Sequence, residues 1–296
     1  MNISNKTHPY VIVDVFAETP LRGNPLAVVP DADRLDVQTM RAIAAEFNLS
    51  ETSFVLTSAM AGGDFRLRSF TPTGDEVFGA GHNALGVWWW LADTGRLGDG
   101  SSFVQQLGEE LLPVAIERKN GRAFVALSQG APRHIGDVDD LEPLGTALGL
   151  DKNEPASVPM NAAVVSTGAA HMLVELASSD AVDRAEPNAA ALLPLLKRAG
   201  AQGCYIYATN RDRPGEAYAR FFNPTVGIRE DPATGSAAGP LGWLLAKRGI
   251  AAWGETFTVL QGVRMGRESR VQVVARAESV ELIGAAVISA TGQLSL

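Results

Sequence analysis

The chain has 296 residues, 46% of them hydrophobic and 20% charged, with a formal net charge of −8 and a pI near 5.1. That length holds two domains or one large one with ample core, and the acidic balance argues against nucleic acid or an anionic membrane surface as partner. The lone cysteine, Cys204, rules out an intrachain disulfide framework and a paired-cysteine metal site.

A polar N-terminus leads straight into a strand-like run over 10–15. No secretory h-region and no run of membrane-span length appears, so the cytoplasm is the expected compartment. Short β-branched runs separated by turn residues then predict strands over 26–29, 52–56, 65–69, 112–117 and 123–128. An amphipathic helix over 35–47, with Asp36 in its first turn, interrupts them. The second half repeats the pattern with strands over 162–167, 171–176, 203–208, 217–222, 257–260, 271–275 and 280–283 and a helix over 189–199 after Pro187-Asn188. Two further helices, over 83–92 and 237–246, are apolar nearly all the way round. A helix with no polar face must be surrounded, and strands outnumber helices, so a sheet curled about each is the expected container. The Trp88-Trp89-Trp90 run is read as core packing rather than a stacking platform. A polar, turn-rich stretch over 130–159 divides the chain into expected domains 1–130 and 131–296, the final strand being free to pack back on the first.

The halves look like two copies of one motif. Phe70-Thr71-Pro72-Thr73 followed by Gly81-His82-Asn83 parallels Phe222-Asn223-Pro224-Thr225 followed by Gly235-Ser236-Ala237. From Gly81 to Gly95 and from Gly235 to Gly249 is 14 positions in both copies; from the proline to the first of those glycines is 9 and 11. Gly23-Asn24-Pro25-Leu26 and Gly168-Ala169-Ala170-His171 precede the two motifs in matching order. A glycine, a small or polar residue and then an apolar run mark a helix start. Two such starts predict a cleft lined by helix N-termini with exposed N–H groups, suited to an anion and above all a carboxylate.

Three side chains stand out. Glu51 opens a strand just after a helix, where burial in a cleft raises a carboxyl toward the working range of a general base; a surface glutamate is the plainer alternative. His82 sits at a helix N-terminus, whose dipole disfavours imidazolium, and a neutral imidazole there can donate a hydrogen bond or relay a proton; a structural histidine is the competing reading. Glu230-Asp231 stand directly before Gly235-Ser236, a density of polar groups that one cap does not require. They lack a third acidic ligand for Mg²⁺ nearby, and no dinucleotide, Walker, HExxH or nucleophile-elbow pattern is present.

With these strings in place the chain resembles the PhzF-like family, which has the diaminopimelate epimerase fold. The resemblance runs over nearly the whole chain, through Asp14-Val15-Phe16, Gly23 to Val29, Ser50-Glu51-Thr52-Ser53-Phe54-Val55, Arg68-Ser69-Phe70-Thr71-Pro72, Gly81-His82, Gln261-Gly262-Val263-Arg264-Met265-Gly266-Arg267 and, most specifically, Glu230-Asp231-Pro232-Ala233-Thr234-Gly235-Ser236-Ala237. It implies an α+β fold of two pseudo-symmetric domains, each a barrel-like sheet around a central helix, with the active site between them. It implies a cofactor-free isomerisation in which Glu51 moves a proton. His82 and Asp231 would share the catalysis, Gly81, Asn83, Gly235 and Ser236 would hold the substrate, and the protein would be a homodimer. The epimerase branch needs a cysteine before each central-helix glycine; Ala80 and Thr234 stand there, which excludes two-thiol racemisation. Asn83 is bulkier than the small residue common after Gly-His and is expected to add amide groups to the pocket floor. The leading expectation is therefore an isomerase acting without cofactor or metal on a small carboxylate, cyclic or open. A non-catalytic small-molecule binder of the same fold and a related lyase are the alternatives.

Overall fold

Strand-forming runs and two helices without a polar face make each half of this chain a sheet bent around a helix. The computed structural model describes residues 7–151, 158–210, 213 and 215–296. Most of the expected polar N-terminus (1–6) and part of the turn-rich divide (152–157) lie outside the described residues. The chain falls into two compact units, Met1–Ser128 with Gly284–Leu296, and Gln129–Ile283.

The first unit contains β1 (Thr7–Val15), β2 (Asn24–Val29), α1 (Val37–Phe47), β3 (Thr52–Thr57), β4 (Phe65–Phe70), β5 (Glu76–Val77), α2 (His82–Asp93), β6 (Ser102–Leu107), β7 (Glu110–Lys119) and β8 (Arg122–Ser128). The second contains β9 (Arg133–Asp137), α3 (Glu142–Ala147), β10 (Asn161–Ser166), β11 (Ala170–Glu175), α4 (Ser179–Arg184), α5 (Ala189–Ala199), β12 (Gly203–Thr209), β13 (Glu216–Asn223), β14 (Ile228–Asp231), α6 (Gly235–Lys247), β15 (Thr256–Gln261), β16 (Ser269–Ala275) and β17 (Val280–Gly284). The last strand, β18 (Ala286–Ser295), belongs to the first unit, where it pairs antiparallel with β1 from Thr7↔Ser295 to Val15↔Ala286.

Pairing is the same in both units. In the first, β1 pairs antiparallel with β2, β2 parallel with β3, β3 antiparallel with β4, β4 antiparallel with β5 and parallel with β6, and β6–β7–β8 antiparallel in turn. In the second, β10 to β17 follow that sequence strand for strand, with β9 on β10 where the first unit has β18 on β1. The registers fix equivalent residues: Ala27↔Thr52↔Phe70 in one unit corresponds to Met172↔Cys204↔Phe222 in the other. Counting from these, Glu51 is matched by Gly203, Leu26 by His171 and Arg68 by Arg220.

The central helices answer to their sequences. Every residue from His82 to Ala92 is buried, the three tryptophans included. Helix α2 touches β18 at one end of the strand row and β8 at the other, which requires the sheet to wrap it. It lies close: a Cβ at Gly86 would come within 2.7 Å of both Leu26 and Val15. In the second unit α6 is enclosed likewise, and a Cβ at Gly242 would come within 2.8 Å of Val273. The opposite sheet faces carry the crossover helices. Met40 and Ile43 of α1 pack on Phe54 and Phe70, and α3, α4 and α5 cover Cys204, Ile206 and Ala208, the alternate residues of β12. Asp36 caps α1 by accepting from the Thr39 N–H at 2.8 Å, and Asn188 caps α5 through Ala191. No described helix is long and apolar enough to cross a membrane.

Some elements lie outside the sequence expectations. Strand β6 carries two buried polar residues: Gln105 Oε1 accepts the Trp88 indole N–H at 2.9 Å, and Gln106 Oε1 accepts from the Ser58 hydroxyl and the Ala59 N–H at 3.1 and 2.8 Å. Strand β9 is mostly exposed and β18 combines exposure with an interior glycine, so neither shows an apolar run. The helices α3 and α4 have 6 residues each, too few for a periodic signal.

Each unit also repeats one polar device. Arg68 on β4 binds Glu76 on β5 through two bonds of 2.7 Å, and Arg220 on β13 binds Glu230 at 2.9 and 3.0 Å. Each guanidinium also stands over the phenylalanine two residues on, 5.1 Å from Phe70 and 5.0 Å from Phe222. Arg220 is the more enclosed, its Nη1 donating to the carbonyls of Val182, Asp183 and Ala185 at 3.0, 3.3 and 2.8 Å. Removing it strands a partly buried carboxylate and three carbonyls. Arg220→Ala is expected to lower stability by about 3–5 kcal/mol and Arg68→Ala by clearly less, as read by urea unfolding of the two variants.

Candidate active site

In the first unit three chain segments bring their starts together. Helix α1 stops at Asn48, whose left-handed backbone (φ 50°) suits an asparagine and turns the chain toward β3. Glu51 directly precedes β3, Asn24 opens the adjacent parallel strand β2, and His82 opens α2. His82 Nδ1 lies 3.3 Å from Glu51 Oε2, and its Nε2 lies 3.5 Å from Ser50 Oγ. The Ser50 hydroxyl donates to Asn24 Oδ1 at 3.3 Å. Ser50 Oγ thus lies between Asn24 and the His82 Nε2, while the His82 Nδ1 faces the carboxyl.

The environment of Glu51 favours its protonated form. Its side chain is only 20% exposed and that of His82 10%. Burial raises the Glu51 carboxyl from an ordinary 4.5 to about 7. A carboxyl in that range is both a competent base and a competent acid at neutral pH.

The loop before α2 is held by Asn83 rather than lined by it. Asn83 is 2% exposed. Its Oδ1 accepts the Gly81 N–H at 2.9 Å, and its Nδ2 donates to Gly79 O at 3.0 Å and Ser69 Oγ at 3.1 Å. Both amide hydrogens of Asn83 and the Gly81 N–H are thus engaged within the fold.

In the second unit the acidic cluster before α6 separates into distinct jobs. Glu230 is bound by Arg220 and so is committed to the sheet. Asp231, 8% exposed, accepts the Thr234 hydroxyl on Oδ2. Fully buried Gln261 fastens this turn, donating to Asp231 O at 2.7 Å and Thr234 Oγ1 at 3.1 Å while accepting the Thr234 N–H at 3.1 Å and the Tyr205 hydroxyl at 2.7 Å. Tyr205 is held far above its usual pKa by burial first and by the Asp231 charge second. A Cβ at Gly235 would meet the end of the Leu282 side chain at 2.5 Å, and the Gly235 carbonyl accepts from Gln129 at 2.9 Å. Ser236 follows, with His171 Nε2 3.1 Å from its Oγ.

Sequence reasoning passed over Asn24, Ser50, Gln261 and His171. The first three lie inside the quoted motif strings without a role. His171 left a readable sign: a polar residue where the other copy has Leu26, in a run otherwise made for burial. Among the described residues no three His, Cys, Asp or Glu side chains stand together as a metal-ligand set.

Comparison with known proteins gives the family and the fold. The sequence profile described as "Phenazine biosynthesis-like protein" (PhzC-PhzF) matches residues 13–292. The trans-2,3-dihydro-3-hydroxyanthranilate isomerase of Pseudomonas fluorescens is 37% identical, with 93% of each chain covered. An uncharacterized isomerase of Clostridium acetobutylicum is 30% identical, covering 96% of this chain and 97% of the relative. Among solved structures, a PhzF-family phenazine biosynthesis protein from Bacillus anthracis superposes with a TM-score of 0.88 at 28% identity, covering 98% and 100% of the two chains. A hydroxyproline epimerase from Agrobacterium vitis shares the fold at a TM-score of 0.68 and 12% identity, covering 100% and 94%.

The raised Glu51 pKa has a consequence for stability. A carboxyl whose folded pKa of about 7 exceeds its unfolded 4.5 binds its proton more tightly when folded, so folding is least penalised below pH 4.5 and loses stability as pH climbs to 7. Glu51→Gln removes the penalty. Its stability relative to wild type should rise from near zero at pH 4 to about 2–3 kcal/mol at pH 8. Urea unfolding across that range checks this; a gap that does not vary with pH contradicts it.

Proposed function

The chain belongs to the phenazine biosynthesis-like (PhzF) family and is an isomerase, and from that premise we propose that Glu51 carries the reaction as a single acid/base, without a cofactor. The observation that carries the proposal is a mostly buried carboxyl, pushed up to about 7, 3.3 Å from an imidazole at the mouth of an enclosed helix. The ionised carboxyl takes a proton from a carbon beside an unsaturated or carbonyl group. The pair of electrons left behind shifts along the conjugated system, and the same carboxyl, now an acid, delivers the proton to a different carbon. Nothing is gained or lost overall, as an isomerisation requires.

His82 serves as the partner of Glu51. Its Nδ1 accepts the carboxyl proton or returns it, which keeps the pair poised whichever way the substrate proton travels. The Asn24–Ser50 contact lies behind it, on the Nε2 side. The strand registers support a one-residue mechanism: the counterpart of Glu51 in the other unit is Gly203, and the racemase cysteine positions hold Ala80 and Thr234. One acid that both removes and restores a proton works on one face of the substrate.

The substrate we infer is a small unsaturated carboxylate of the kind named for the Pseudomonas relatives. Its carboxylate is assigned to the start of α6, at Gly235 and Ser236, where helix N-terminal N–H groups and the dipole favour negative charge. Asp231, held by Thr234 in the turn just before that helix, is assigned the substrate's amino or hydroxyl group. A homodimer belongs to the same proposal.

Incubating the enzyme with trans-2,3-dihydro-3-hydroxyanthranilate in D₂O tests it. Wild type is expected to convert the compound, and Glu51→Gln to lose roughly 10²–10⁴-fold of that rate. A Glu51→Gln enzyme that isomerises or exchanges substrate protons at the wild-type rate would eliminate the mechanism.

A further inference from the structure

His171 is a buried polar side chain in a strand that has no structural need of one. Its equivalent in the first unit is Leu26, an apolar residue packed on the central helix, and His171 is 3% exposed. Phe221 lies perpendicular to its ring at 5.1 Å between centroids, and Gly203 beside it leaves room for that phenylalanine, since a Cβ there would sit 2.4 Å from the Phe221 ring. Burial lowers the imidazole pKa to about 4, so the ring is neutral at any working pH. A neutral imidazole has one N–H and one bare nitrogen, and their placement is set by the partners available.

Those partners are unequal. Nε2 has Ser236 Oγ at 3.1 Å, whereas Nδ1 is sealed from solvent with no hydrogen-bond partner. A buried N–H without an acceptor is costlier and rarer than a buried lone pair without a donor. The proton therefore belongs on Nε2, which donates to Ser236 Oγ. The serine hydroxyl, with one lone pair occupied by that bond, has its own proton directed elsewhere.

We propose that His171 is a positioning residue that makes the Ser236 hydroxyl an obligate donor for the substrate's carboxylate. This rests on the assignment of that carboxylate to the start of α6. The opposite arrangement, with Ser236 donating into the imidazole, would turn an oxygen lone pair toward the anion and repel it. His171 selects the attractive polarity without touching the substrate, and its burial keeps the choice fixed by withholding a second proton. Leu26 has no such task, because the first unit places His82 where Ser236 stands.

The test is a tautomer measurement joined to a mutant cycle. In [¹⁵N]histidine-labelled full-length protein, long-range ¹H–¹⁵N correlation resolves four histidines, with His171 identified by its loss in His171→Gln. The expected spectrum shows the Nε2–H tautomer of His171, unchanged from pH 5 to 8. Anthranilate, a carboxylate that cannot isomerise, is the binding probe. Ser236→Ala and His171→Leu are each expected to weaken it by about tenfold or more, the strength of one hydrogen bond to a charged group. The double variant should bind no worse than either single one. His171→Gln, whose amide N–H reaches the place of Nε2, should bind near wild type, and in turnover the Leu variant should raise KM far more than it lowers kcat.

An Nδ1–H tautomer aimed at Phe221, or losses that multiply in the double variant, overturns the inference while leaving Glu51 catalysis intact. Equal anthranilate binding by wild type and Ser236→Ala overturns both this inference and the carboxylate assignment. Normal turnover by Glu51→Gln refutes the acid/base reading alone, since the tautomer is read in the free protein. The wild-type spectrum and the Gln variant decide the matter even where the Leu variant does not fold.

Discussion

Helices without a polar face govern this molecule. Helix α2 buries all eleven residues from His82 to Ala92, so every direction perpendicular to its axis is occupied by sheet. Its N-terminal end remains as the place where backbone dipoles and side chains can meet a ligand. The same enclosure that supplies the apolar core therefore dictates where chemistry is possible, and His82 stands at that end because it is the first residue of the helix. Glu51 and Asn24 arrive beside it because β2 and β3 are parallel neighbours whose starts lie on the same side. The site follows from the container rather than being added to it.

Duplication explains the economy of the fold and the asymmetry of its chemistry. Both units keep the order of strand pairing and the arginine–glutamate bridge with its phenylalanine, so those features answer to folding. Where the copies differ, they differ beside the helix starts: Glu51 against Gly203, Leu26 against His171, His82 against Ser236, Ala80 against Thr234. The first unit carries a carboxyl that burial raises to about 7 where the second carries Gly203, and the second carries a buried histidine where the first carries Leu26.

Much of this was legible in the residues. Alternating β-branched runs located thirteen of the strands, all-apolar helical stretches implied an enclosing sheet, and glycine-led helix starts located the clusters. What escaped was whatever depends on partners distant in the chain. Gln105 looks unsuited to a buried strand until Trp88 supplies its donor, and β9 and β18 are too exposed to show a core-facing pattern. The bonds of Asn83 to Gly79, Gly81 and Ser69 depend on the turn before α2 and on β4, and leave no mark in the sequence. The Glu230-Asp231 pair appeared as one acidic cluster. Adjacent residues on a strand point to opposite faces, and that alternation sends Glu230 to Arg220 and Asp231 to Thr234. Sequence proximity overstated their cooperation.

The energetic balance at the first-unit site has a direction. Holding Glu51 out of water costs the fold roughly 2–3 kcal/mol at pH 8, a sizeable share of the 5–15 kcal/mol by which domains are commonly stable. The residues around it are held within the first unit: Ser53 Oγ shares a 2.8 Å hydrogen bond with Ser69 Oγ, Asn48 closes α1 through its N–H to the Ala44 carbonyl, and Asn83 bonds Gly81, Gly79 and Ser69. A carboxyl raised to about 7 by burial is present in both protonation states near neutral pH, so the cost of enclosing it is inseparable from its capacity to hold or release a proton there.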